Sequence, residues 1–223
     1  MNKLTRTITS VILTLTALLS VYEFMKALIW SFDTLLLGTK ALRNVILWFL
    51  AGGVVYYLVF GLVWRKYRNL IHTTIHEWLH AFMCMIMFRD VVSVQSTSDE
   101  GGVMYHRGDP NIFIALAPYT LPILTYLTLI IAGVMPSSVK WPYILVGFTF
   151  FLHMHAFKRQ TRIDQPDLQE SGIYRSVVFI ATFLPMNISI CLYALKSTLW
   201  SGIGTYFTSV WSDISGLVVN LFA

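Results

Sequence analysis

Runs of about twenty apolar residues, the length a helix needs to cross the hydrocarbon core of a bilayer, recur along this 223-residue chain and limit what it can fold into. They lie at about 8–30, 45–64, 112–135, 141–157 and 173–195. Charged residues make up only 12% of the sequence, against about 25% in an ordinary soluble domain, and mean hydropathy is +0.65. That balance excludes a soluble globular enzyme, a disordered tail, a fibrous repeat and a disulfide scaffold, and leaves an integral membrane protein. The net charge of +5 does not point to nucleic acid, because the basic residues cluster beside apolar runs as they do in membrane loops. Cys84 and Cys191 both fall inside apolar runs, so no disulfide framework is expected.

The run at 8–30 follows Lys3 and Arg6. It reads as an uncleaved anchor rather than a signal peptide, since no small-x-small site follows and Glu23 and Lys26 lead into more apolar sequence. The run at 45–64 stops at Arg65, Lys66 and Arg68, and a third helix is expected over 69–88. From 89 to 111 the character changes. Val91, Val92, Ser93, Val94 and Gln95 form a largely β-branched stretch, Asp99-Glu100-Gly101-Gly102 is turn chemistry, and alternation resumes at 103–106. This predicts a β-hairpin or re-entrant segment. Pro118 and Pro122 interrupt the run at 112–135, a polar loop is expected over 158–172, and the tail at 198–223 reads as a last span or an interfacial helix. The expected fold is an all-α multi-pass membrane protein, a single domain over 1–223 with about 5–7 membrane helices and a small β-hairpin inserted after the third helix.

That third helix carries His76-Glu77-Trp78-Leu79-His80, the pattern HExxH. Residues four apart share a helix face, so both imidazoles can reach one metal ion with Glu77 beside it. Neutral imidazole suits zinc, and a catalytic zinc takes three protein ligands and a water, whose proton Glu77 is placed to take. With six His and four Glu in the chain, chance would produce the pattern roughly 0.002 times. A packing role alone would have to offset about 2.5–3.5 kcal/mol for each ionisable group set in an apolar helix.

The third ligand must come from a remote segment. Asp164 and Asp167 in Ile163-Asp164-Gln165-Pro166-Asp167-Leu168 lead the candidates, followed by Glu170, Glu100 and the other histidines. Pro166 fixes the backbone just before Asp167. Topology favours the same loop. With Lys3 and Arg6 cytoplasmic, the chain returns to that side at Arg65–Arg68, and His76 lies roughly 10–15 Å into the membrane. Lys158, Arg159, Arg162 and Arg175 put the 158–172 loop on the cytoplasmic side as well. The hairpin must then carry the chain back through the membrane, where irregular backbone is tolerated only against protein or a water-filled cavity.

These residues resemble the site-2-protease group of intramembrane zinc metalloproteases. In that group an HExxH helix, a following β-hairpin or re-entrant segment and a later aspartate build the active site, with the aspartate in an Asn-Pro-Asp-Gly or Leu-Asp-Gly motif. Here the matching stretch is Gln165-Pro166-Asp167-Leu168, with Gln in place of Asn and Leu in place of Gly. The resemblance covers roughly residues 65–195, which would be the metalloprotease core. It implies one zinc ion held by His76, His80 and Asp167, Glu77 as general base, and a transmembrane or signal-peptide-like protein segment as substrate. The protein would sit in the plasma membrane with its active site nearer the cytoplasm, take no nucleic acid, and have an oligomeric state the sequence leaves open.

Around this core stand weaker candidates. Asp164, Gln165, His72 and His155 are alternative ligands or outer partners of the metal, with ordinary packing the simpler role for His72, as for Cys84 on the same face. Residues 91–95 offer a strand edge on which an unwound substrate segment would add as a further strand. Two other functions compete. His72-x3-His76 is reminiscent of membrane di-iron desaturases and oxygenases, which need more histidines than the six present and leave Glu77 idle. A non-catalytic metal-binding scaffold would leave Glu77 idle too.

Overall fold

The computed structural model describes residues 3–97, 101–109, 111–136 and 139–222; the expected turn residues Asp99 and Glu100 lie outside them. Helix α1 (Lys3–Leu37) is followed by α2 (Lys40–Leu58), whose first turn is capped by the Thr39 hydroxyl accepting from the Leu42 amide. The last turn of this span, Val59–Val63, is π-helical. Next come α3 (Arg68–Ile86), the strands β1 (Val91–Ser96) and β2 (Gly102–His106), and α4 (Ile112–Thr120), capped by the Asn111 carboxamide. The chain continues through α5 (Ile123–Val134), α6 (Trp141–Gln160), the short α7 (Pro166–Ser171), α8 (Ile173–Ala194) and α9 (Leu199–Phe222).

Among the described residues, three helical stretches are long and apolar enough to cross a membrane: Thr7–Leu37, Lys40–Val63 and Ile173–Ala194. A fourth is α4 with α5, bent by 61° at the break the two prolines impose. Pro118 and Pro122 lack the amide that would continue the ladder, and Leu121 adopts an extended conformation between the two helices. By length and composition alone, 3 to 4 spans are therefore supported, fewer than the expected 5–7. The polar ends of α3 and α6 and the Ser, Gly and Thr content of α9 keep those helices below the apolarity of a self-sufficient span. The 158–172 segment is a correction: it is not loop throughout, since Pro166 starts α7 with its fixed φ.

Packing organises the helices in two layers of contact, α1 along α8 and α2 along α6, with α4 and α5 held between α6 and α8. The α2–α6 crossing depends on glycine. A Cβ at Gly52 would run into the Ile144 carbonyl and one at Gly147 into the Phe49 carbonyl, so the two backbones approach as small residues permit between membrane helices. The hairpin pairs β1 antiparallel to β2, Val94 opposite Met104 and Ser96 opposite Gly102, with an irregularity between Val91 and Ser93. It packs against α3, to which the Thr74 and Ser96 hydroxyls tie it at 3.1 Å.

Candidate metal centre

Helix periodicity puts His76 and His80 on one face of α3, where both are buried. The ring of each is held through its Nδ1. His80 Nδ1 donates to the carbonyl of Ile114 at 2.8 Å. That carbonyl is available because its helical partner four residues on is Pro118, which has no amide hydrogen. His76 Nδ1 lies 3.1 Å from Oε1 of Gln160 at the end of α6. Both Nε2 atoms thus turn the same way, toward Asp167.

Asp167 occupies the first turn of α7, where the helix N-terminus favours a carboxylate. Its Oδ2 lies 3.2 Å from His76 Nε2 and 3.5 Å from His80 Nε2, and accepts from the hydroxyl of the fully buried Tyr119 at 2.9 Å. With the Nδ1 atoms protonated, two imidazole lone pairs and a carboxylate oxygen converge, all within 4.8 Å of one another. Three acceptors facing each other at this spacing, two of them buried, repel until a proton or a cation lies among them, and a cation satisfies all three at once. The spacing fits one. A tetrahedral ion with bonds of about 2.1 Å sets its ligands about 3.4 Å apart, which is what Asp167 makes with each imidazole. Among the described residues this is the one group of three or more His, Cys, Asp or Glu arranged in that way.

Glu77 is buried beside the pair and shares with His76, His80 and Asp167 a cleft of about 790 Å³, within the range of sites that enclose a ligand. Strand β2 forms another wall, and Gln165 and Arg175 also line it. At Gly102 the strand passes so close that a Cβ would come within 2.7 Å of Glu77 Oε1, so a side chain there would displace the Glu77 carboxylate.

The other expected site residues fall elsewhere. Asp164 is exposed and paired with Arg162 at 2.9 Å, so it is not a ligand here: the turn into α7 points it to the surface while Asp167 faces inward. His72 and His155 lie on either side of the buried Tyr56, whose hydroxyl is 3.1 Å from His72 Nε2 and 2.7 Å from His155 Nδ1. Val91, Val92, Ser93, Val94 and Gln95 are on β1; the strand that lines the cleft is β2. Cys84 and Cys191 are buried free thiols. Gln160, Tyr119, Gly102 and the Ile114 carbonyl were not anticipated. Only the last had a sequence signal, in the proline four residues after it.

Fold and site together define a helical membrane protein with a His-His-Asp group that could hold a metal ion, next to a buried glutamate. A family model for Peptidase M50B-like proteins matches residues 45–163, more than half of the chain, and the chain belongs to that family. No curated protein and no solved structure gives a significant match.

Proposed function

We propose that this protein is an intramembrane zinc endopeptidase that hydrolyses peptide bonds in membrane-embedded protein segments. One observation carries the reading: two imidazoles of α3 and the Asp167 carboxylate of α7 converge, with the carboxylate 3.2 and 3.5 Å from the two rings, on the same cleft as Glu77. His76, His80 and Asp167 would hold the ion. Bound there, zinc supplies a Lewis acid that polarises a peptide carbonyl and acidifies a water. Glu77, kept from bulk solvent under Gly102, takes the proton as the water adds to the carbonyl carbon. It then delivers a proton to the amine nitrogen as the C–N bond breaks.

A transmembrane helix hides its carbonyls in its own hydrogen bonds, so the substrate must unwind to be cut. The position of β2 along the cleft supports capture of an extended segment on that strand, moving the expected edge from residues 91–95 to Gly102–His106. We place the protein in the plasma membrane, with α3, α6 and α9 completing a multi-pass bundle and the site nearer the cytoplasmic side, where Lys158, Arg159 and Arg162 lie on the segment leading to Asp167. A di-iron oxygenase fits less well, because His72 and His155 are both engaged by Tyr56.

The test is metal analysis of detergent-purified protein together with cleavage of a model transmembrane peptide. Wild type should carry one zinc and cleave. His76→Ala should lose both properties. Glu77→Gln should keep the ion and lose cleavage by about 10²–10⁴-fold. Full cleavage by Glu77→Gln would refute the mechanism and leave a metal-binding scaffold.

A further inference from the structure

The two metal-facing histidines are held by unlike partners. His80 rests on a backbone carbonyl, which no substitution removes, whereas His76 rests on the side chain of Gln160. Gln160 is the last residue of α6, on the segment that leads to Asp167. Its Nε2 lies 3.4 Å from the carbonyl of His72, and its Oε1 lies 3.1 Å from His76 Nδ1.

These contacts fix the direction of each proton. A backbone carbonyl only accepts, so the amide must turn its NH₂ to His72 and leave its oxygen for His76. An amide oxygen also only accepts, so His76 carries its proton on Nδ1 and presents the Nε2 lone pair to the ion. His72 is itself fixed, packed one turn earlier on α3 and joined through Tyr56 to His155 on α6.

We propose that Gln160 is a positioning residue that sets the tautomer and ring orientation of His76 and thereby makes it a metal ligand. A partner of this kind is worth about 10–100-fold in metal affinity where a ligating histidine depends on it. The proposal rests on the zinc reading above, but its test separates the two.

The experiment is a competition titration of zinc against a chromogenic chelator, on the full chain in detergent, with folding followed by circular dichroism. Gln160→Leu, which removes both hydrogen bonds at similar volume, should weaken zinc binding about 10–100-fold. Gln160→Glu, which keeps an oxygen acceptor for His76 Nδ1, should stay within about threefold of wild type. A merely structural glutamine would not be rescued by a charged acid. If Gln160→Leu does not fold, Gln160→Asn carries the test: one methylene short, it should lose at least about tenfold. Wild-type affinity in Gln160→Leu or Gln160→Asn, or a loss in Gln160→Glu as large as theirs, overturns the proposal. A wild-type chain that binds no zinc overturns the metal reading instead, and this proposal with it.

Discussion

Glu23, Lys26 and Asp213 form one cluster of ionisable side chains set in apolar helices; His76, His80 and Asp167 form another, and only the first carries its own cation. Lys26 Nζ bonds Asp213 Oδ2 at 2.8 Å, Glu23 Oε1 at 3.2 Å and Ser209 Oγ at 2.6 Å, clamping α9 onto α1. At the second cluster Asp167 Oδ2 faces the two imidazoles and accepts from the neutral Tyr119 hydroxyl. Both clusters meet the high cost of charge in a low-dielectric interior. One does so with a lysine built into the chain, the other with acceptors spaced for an ion from outside. The first lies in α1 and α9, beyond the residues matched by the family, and the histidines of the second lie within them.

The largest effect is expected at Asp167. Asp167→Ala should lower zinc affinity by more than about 100-fold, beyond what loss of an outer partner costs, and abolish cleavage. Asp164→Ala should leave the bound zinc at one per chain by metal analysis. Retention of zinc by the first variant, or its loss in the second, would put the ligand on the wrong aspartate. At the other cluster, Lys26→Met should strand two carboxylates at the α1–α9 contact and cost about 3 kcal/mol of stability, read as a lower thermal midpoint in detergent, with zinc content unchanged. A zinc loss there with the fold intact would mean that the two clusters are coupled. The smallest effect is expected at Tyr119. Tyr119→Phe removes one hydrogen bond to Asp167 while His76 and His80 remain, so zinc affinity should fall by about tenfold or less and cleavage should persist.

Much of the site was legible because its parts obey local rules. HExxH works through the period of a helix, and the hairpin was readable from β-branched alternation around a glycine turn. Pro118 and Pro122 marked a break that the structure places between α4 and α5. Asp167 was anticipated, but what escaped depends on a partner distant in the chain. Asn187 of α8 bonds Tyr126 and the carbonyl of Thr120, tying α8 to the broken α4–α5 pair, and its place in an apolar run does not say so. Gln160 fell inside the expected 158–172 loop but ends α6, and nothing in the sequence singles out Tyr119. Pro118 read only as an interruption, although the carbonyl it frees is the anchor of His80. By length and apolarity alone 3 to 4 of the expected 5–7 spans are supported among the described residues, because α3, α6 and α9 carry polar residues that only their packing against other helices accommodates.

Composition and helical period, which are properties of neighbouring residues, already put this chain in a membrane and two imidazoles on one face of a helix with a glutamate beside them. Tertiary structure alone decided which aspartate closes the triangle, which nitrogen of each imidazole faces it and which strand walls the cleft. Those choices depend on groups 34 to 91 residues apart meeting at hydrogen-bond distance, and no local rule records where a distant backbone carbonyl or amide will arrive.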